Sequence, residues 1–371
     1  MFTCRLLLGV SLSLWLSGCG KDEDDDDNVS TCERLAPRLQ GALEEAAEAE
    51  DLPGVTVSLR LPDCTWRGAA GLSKVEPAAA LKVDDRLRVG SITKNFVSVV
   101  VLQLQAEGKL SLDAPLATWR PDFPRADRIT VRQLLNHTSG AFNYTRSQEF
   151  LARAQAEPGR TWTDEEVIAL GAAQSPVFEP GTDWDYSNTN YILLGHILEQ
   201  VTGTPVAGLI RARILEPLDL DDTGLEGAEP LPPLTVRGYE RNPADNTWVD
   251  YTDFIHLSAA GAAGALVSTA DDISAFYLAL FEGDVLAPAQ RAEMMRWAEA
   301  SVPGAPKYGL GLFESDTPVG PGHGHDGEIP GFSALAFYLP EHKASLAVLT
   351  NRENSGVTGV TDRLLQVLAR D

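Results

Sequence analysis

Arg88-Val89-Gly90-Ser91-Ile92-Thr93-Lys94 is followed by Phe96-Val97-Ser98-Val99-Val100-Val101-Leu102-Gln103-Leu104, and the run stops at Gly108. Apolar residues almost all round point to a buried helix. Valine-rich runs also make strands, but Gln103, Gln105 and Glu107 followed by a glycine favour the helix. Gly90 lets the chain turn tightly into it. Ser91 and Lys94 then share one face, with Cβ atoms about 5–6 Å apart. Ser91 sits in the first turn, where unpaired N–H groups and the positive dipole end can hold an oxyanion. A lysine desolvated by such a helix is pushed toward its neutral form and can take the serine proton. An N-capping serine beside a surface lysine has the same spelling, so the rest of the chain must decide.

Met1 to Gly18 carries Arg5 as its only charge, and its apolar core, Leu6 to Leu16, is too short to span a bilayer. Residues 1–18 therefore read as a signal peptide. Leu16-Ser17-Gly18-Cys19 resembles the lipobox of bacterial lipoproteins, which implies lipidation at Cys19. Residues 19–30 form an acidic tether, since the run Asp22-Glu23-Asp24-Asp25-Asp26-Asp27 repels itself and stays extended. A calcium loop would need a glycine and a distal glutamate that this run lacks. The expected location is the cell envelope, exported and lipid-anchored. Gly20, in place of an acidic residue after Cys19, leans toward the outer membrane. The formal net charge of −23 argues against nucleic-acid partners. A monomer is expected.

Cys4 leaves with the signal and Cys19 carries lipid, so Cys32 and Cys64 remain for oxidation in an exported protein. A helix from Cys32 to Ala49 runs about 27 Å at 1.5 Å per residue. The strand Gly54 to Leu61 returns about 26 Å. The two cysteines meet, and a disulfide is predicted.

Leu35, Leu39, Leu43 and Ala46 mark one stripe of that first helix. Val55, Val57, Leu59 and Leu61 alternate with Thr56, Ser58 and Arg60, the pattern of a half-buried strand, and Thr65 to Gly71 completes a hairpin. From Leu110 to about Pro303 the pattern is mostly helical. After Pro306, Tyr308 to Phe313 reads as a strand, Phe332 to Leu339 and Ala344 to Thr350 as a hairpin, and Thr358 to Ala369 as a closing helix. The fold class is α+β: an antiparallel sheet built from both chain ends, flanked by helices, with an inserted mainly helical domain. Residues 31–90 and 305–371 form the sheet domain, and 91–304 the helical one.

Two more stretches carry chemistry. Tyr186-Ser187-Asn188 lies in a Pro-Gly loop before the helix Tyr191 to Val201. A tyrosine drawn toward phenolate by a nearby ammonium can act as general base. The Asn188 amide can hold a substrate carbonyl. His325-Asp326-Gly327 lies in a glycine-rich run that would let a ligand approach a strand closely. His323, His325 and Asp326 are also three conceivable metal ligands, but His137, His196, His256 and His342 lack partners at motif spacing, so no metal is assigned.

Taken in order, the chain resembles the serine β-lactamase-like family of penicillin-recognising hydrolases. The likeness rests on Ser91-Ile92-Thr93-Lys94, Glu107-Gly108-Lys109-Leu110, and Asp127 to His137. It continues through Ser139-Gly140, Tyr186-Ser187-Asn188-Thr189-Asn190, Tyr308-Gly309-Leu310-Gly311-Leu312 and Gly324-His325-Asp326-Gly327. It is greatest to the secreted D-alanyl-D-alanine carboxypeptidases, with class C β-lactamases and family esterases further off. The resemblance implies Ser91 as nucleophile, Lys94 and Tyr186 as proton carriers, and the backbone N–H groups of Ser91 and Glu328 as oxyanion hole. Asn188, His325, Asp326, Gly327 and Phe313 would contact a peptide, ester or β-lactam substrate. No metal or organic cofactor is required.

Carboxypeptidase members place a threonine where this chain has Asp326, and an arginine follows the Tyr-Gly-Leu-Gly-Leu stretch where it has Phe313. Both hold the substrate carboxylate. An aspartate there repels it, and the bidentate clamp is gone, unless Arg352 or Lys307 compensates. The expectation is therefore a D-Ala-D-Ala carboxypeptidase-like acyl hydrolase. The alternatives are an esterase or an amidase on neutral or amine-bearing substrates, a β-lactamase, and a penicillin sensor without turnover.

Overall fold

The computed structural model describes residues 30–298, 307–353 and 356–371. The expected signal peptide, the lipidated Cys19 and the tether as far as Val29 lie outside them. Ser30 caps helix α1 (Thr31–Ala49), exchanging hydrogen bonds with Glu33 in a capping box. Among the described residues no helix is long and apolar enough to cross a membrane.

An antiparallel eight-stranded sheet forms the centre. Its strands are β1 (Gly54–Arg60), β2 (Thr65–Lys74), β3 (Ala79–Ala80), β4 (Lys307–Tyr308), β5 (Phe313–Thr317), β6 (Gly320–Ile329), β7 (Phe332–Leu339) and β8 (Ala344–Thr350). Their spatial order is β3-β2-β1-β8-β7-β6-β5-β4. β1 pairs with β8, Val57 opposite Val348, so the first and last strands join at the middle of the sheet. One face is covered by α1 and the closing helix Val357–Ala369. There Leu35, Leu39 and Leu43 pack with Val55, Val57, Leu346, Val348, Val360 and Leu364. Cys32 and Cys64 are joined in a disulfide with a Cα–Cα distance of 5.9 Å, tying α1 to the first hairpin.

The other face differs from the half-buried pattern read in the sequence. Thr56 and Ser58 are fully buried, because the helix Ala270–Glu282 lies across them. Ser58 donates to the Asp271 carboxylate at 3.0 Å, and Ser274 donates to Ser58 at 2.8 Å. Ser58 therefore meets matching polar groups on the helix, not water, whereas the buried Thr56 hydroxyl has no hydrogen-bond partner among the described residues. Two further expectations shift. The Tyr308 to Phe313 stretch is not one strand: Tyr308 ends β4, Phe313 begins β5, and the residues between them turn the chain. The helix expected from Tyr191 starts at Asn188, with Ser187 at its N-cap.

The helical part rests on the second core, which is built around the helix Thr93–Ala106. Ten consecutive residues from Thr93 to Leu102 are buried, as an all-round apolar helix requires.

Candidate active site

Gly90-Ser91-Ile92 forms a single turn that runs into the Thr93–Ala106 helix. The turn lies against β6. A Cβ on Gly90 would come within 2.6 Å of the Glu328 backbone nitrogen, and one on Gly327 within 1.9 Å of the Val89 carbonyl. Gly90 also has φ +50°. Only glycines allow this approach, which sets the backbone N–H of Glu328 beside Ser91. Gly327 therefore serves backbone contact and does not line the cavity.

Lys94 is fully buried. Its Nζ lies 2.9 Å from Ser91 Oγ, 2.8 Å from Asn188 Oδ1 and 2.7 Å from the Ala263 carbonyl. Burial pushes its pKa well below the ordinary value, and the Asp326 carboxylate opposes this only in part. A neutral amine fits these partners. Its two N–H bonds go to the two carbonyl-type acceptors, which can only accept, and its lone pair is left facing the Ser91 hydroxyl.

Tyr186 places its ring 4.8 Å below Lys94 Nζ. Its hydroxyl makes no hydrogen bond of good geometry among the described residues. Burial pushes the phenol well above its usual pKa, although the Ser91 side chain pulls the other way. The phenolate expected from sequence is therefore not the resting form. Burial acts on both groups, drawing the amine toward its neutral form and holding the phenol protonated.

A cavity of about 510 Å³ opens at Ser91. Tyr186, Asn188, Glu328, Phe313, His325 and Asp326 line it. Trp184 and Tyr308, for which the sequence offered no role, complete it. Asp326 lines this cavity at its edge, with a side-chain exposure of 67%. Partial burial works to raise its pKa, but hydrogen bonding from the His325 side chain and from the backbone outweighs this and holds it below the usual range. A second cavity of about 380 Å³ shares Ser91, Asn188 and Glu328 with the first. Its lining is mostly apolar, with Tyr144, Phe150, Leu151, Phe254, Ile255 and several alanines, but it also includes Thr145 and Glu353. Leu151 and Phe254 are two of the few large apolar side chains exposed on the described surface. Ser91 thus stands where two cavities meet, one edged by Asp326 and the other by Leu151 and Phe254.

His137 belongs to this site, although in sequence it has no partner at motif spacing. It is fully buried. Its ring centroid is 4.3 Å from that of Tyr186, and its Nε2 is 3.2 Å from the Tyr308 hydroxyl. The Tyr308 hydroxyl lies 2.8 Å from His325 Nε2. Burial and the Lys94 charge push the His137 pKa well below its ordinary value. A buried histidine in an Asn-His-Thr-Ser-Gly turn was the available clue. Ala263 left only the small-residue run Gly261 to Ala265, which permits its carbonyl to approach Lys94.

His323, His325 and Asp326 do not converge. His323 Nε2 pairs with Glu314 at 3.1 Å, while His325 turns to Tyr308. Among the described residues no three His, Cys, Asp or Glu side chains gather to hold a metal ion.

Comparison with known proteins agrees with this geometry. The Beta-lactamase family model matches residues 39–371. Penicillin-binding protein 4* of Bacillus subtilis is 25% identical over 325 residues, covering 85% of this chain and 71% of that protein. The solved D-stereospecific amidohydrolase from Streptomyces sp. is 36% identical, with a TM-score of 0.78 over 87% of this chain and 96% of its own. D-amino acid amidase from Ochrobactrum anthropi SV3, solved with L-phenylalanine amide, is 31% identical, with a TM-score of 0.83 over 91% of this chain and 99% of its own. The chain belongs to the Beta-lactamase family and is a serine hydrolase of that family.

Proposed function

We propose that the protein hydrolyses amides or esters whose polar end carries an amine and whose other end is apolar, with D-amino acid derivatives as the leading class. The observation that carries this reading is the Asp326 carboxylate at the edge of the Ser91 cavity, with no lysine or arginine among the residues lining it. A cation is attracted there and a carboxylate repelled. The mostly apolar second cavity, reaching the same serine, supports a large apolar group at the other end of the substrate. The D-amino acid amidase and D-stereospecific amidohydrolase support the D configuration.

A D-Ala-D-Ala carboxypeptidase needs a cation for the terminal carboxylate. Arg352 is engaged with the Glu50 and Asp51 carbonyls, and Lys307 pairs with Glu314; neither lines the cavity. We therefore put the amine-bearing class ahead of the carboxypeptidase.

In this reading neutral Lys94 accepts the Ser91 proton as Oγ bonds to the acyl carbon. The carbonyl oxygen becomes an anion held by the backbone N–H groups of Ser91 and Glu328. The Tyr186 phenol gives its proton to the leaving nitrogen or oxygen and is reprotonated from Lys94. Asn188, held by Lys94 through Oδ1, keeps its NH₂ group for the substrate. The acyl group then leaves Ser91 to water by the same path in reverse. Export and a lipid anchor at Cys19 remain part of the proposal, supported by the sequence of residues 1–30. Metabolic labelling with a fatty acid, lost in Cys19→Ala, tests the anchor.

The substrate test compares five compounds with the purified chain and with Ser91→Ala. They are the nitroanilides of D-Phe and L-Phe with a free amine, the N-acetylated D-Phe analogue, a D-Ala-D-Ala peptide and a chromogenic lactam. Fastest cleavage of free-amine D-Phe, lost in Ser91→Ala, is expected. Faster cleavage of the acetylated analogue or of the dipeptide would overturn the amine reading. Lactam labelling without turnover of any compound would favour the sensor.

A further inference from the structure

We propose that His137 is a positioning residue which, through the Tyr308 hydroxyl and His325, sets the direction of the substrate-facing Asp326 carboxylate. The proposal rests on the amine reading above. Its elements come from three distant parts of the chain, and their hydrogen bonds run one way.

The direction is fixed at the His137 end. Its Nδ1 lies 3.2 Å from the Ser187 backbone N–H, which can only donate. The Asn190 NH₂ group lies 3.1 Å from the same nitrogen. Asn190 is oriented in turn, because its Oδ1 accepts from the Ser139 hydroxyl at 2.7 Å. Nδ1 is therefore an acceptor, and the partners assign the ring proton to Nε2, which donates to Tyr308 at 3.2 Å. The Tyr308 hydroxyl spends its own proton on His325 Nε2 at 2.8 Å. His325 is left with its proton on Nδ1, which points to Asp326, 2.5 Å from the carbonyl oxygen and 3.2 Å from Oδ1. His325 has 1% side-chain exposure and Asp326 67%, so the relay is buried up to its last member.

Two consequences follow. The His325 N–H bonds to the Asp326 carbonyl and has Oδ1 within 3.2 Å, so it restrains the carboxylate that an arriving amine meets. The relay also starts at Ser187, between Tyr186 and Asn188. The loop carrying the phenol is thereby tied to the strand carrying the carboxylate.

Two variants remove the relay without emptying its place. Tyr308→Phe deletes one hydroxyl and keeps the ring. His137→Asn keeps an acceptor at the position of Nδ1 for Ser187 and Asn190, and asparagine tolerates the φ of +63° found there; it removes only the arm that reaches Tyr308. The readout is the ratio of kcat/KM for a free-amine D-Phe ester to that for its des-amino analogue, which cancels any general loss of activity. Each variant is expected to lower this ratio by about three- to tenfold, the worth of one hydrogen bond. Asp326→Asn should lower it by about 10²-fold. In an Asp326→Asn background, Tyr308→Phe or His137→Asn should lower it no further.

If Asp326→Asn leaves the ratio unchanged, the amine reading fails. If Asp326→Asn lowers it but neither relay variant does, or if their effects simply add to it, the relay fails while the amine reading stands.

Discussion

Replacing Lys94 by methionine separates what the buried amine does for stability from what it does for catalysis. In the folded protein its pKa is pushed well below 10.5 by burial. Between the folded value and 10.5 the unfolded chain therefore binds more protons than the native one, and native stability rises with pH. The slope is about 1.4 kcal/mol per pH unit for one group. Methionine fills a similar volume without a charge, so its stability lacks this slope. It leaves the Asn188 and Ala263 oxygens without their Lys94 partner, at about 1–3 kcal/mol each if neither finds water. Urea denaturation of both proteins at pH 7, 8 and 9 reads the difference, with all other titrating groups common to the pair. The wild type is expected to gain on Lys94→Met as pH rises, with the slope approaching about 1.4 kcal/mol per unit above the folded-state pKa of Lys94 and below 10.5. Its advantage shrinks toward neutral pH, where the buried amine must be charged or the chain pays for keeping it neutral. Turnover should fall by at least about 10²–10⁴-fold, the range for a lost general base. A stability difference independent of pH would refute the argument, because Lys94 would then hold its proton equally in both states.

Tyr186→Phe should slow acylation by about 10²–10⁴-fold, measured as the burst rate on a nitrophenyl ester, and wild-type rates would remove the phenol from the proposed path. Leu151→Asp combined with Phe254→Asp changes two surface side chains at the mouth of the second cavity. It should reduce kcat/KM for a phenylpropionyl ester by about 10–100-fold while acetyl ester hydrolysis stays within about twofold; an equal loss on both esters would deny that cavity the substrate's apolar group. Replacing Cys32 and Cys64 by serine opens a link 32 residues apart in sequence. It should lower stability by about 3–4 kcal/mol in denaturant titrations, and an unchanged midpoint would show the link to be idle.

Much of this protein was legible in residue order because its signals are local. Alternation marked the strands, an all-round apolar run marked the central helix, and a three-residue spacing put Lys94 beside Ser91. The stretches around Ser91, Tyr186 and His325 could be named because their residue types are the chemistry. Sequence also carried the first doubt about the substrate, since Asp326 and Phe313 stand where a carboxylate clamp would be.

What lay beyond it depends on contacts between distant elements. The polar face of β1 looked solvated until a helix more than two hundred residues away covered it with hydroxyls and a carboxylate. His137 and Tyr308 lie in stretches that carried the family likeness but no role, Ala263 lies in none, and each matters through a neighbour reached only when the chain closes. The protonation states were decided last. A lysine next to a tyrosine reads as a cation drawing out a phenolate, but burial disfavours charge on both, and only the tertiary structure fixes how deeply each is buried.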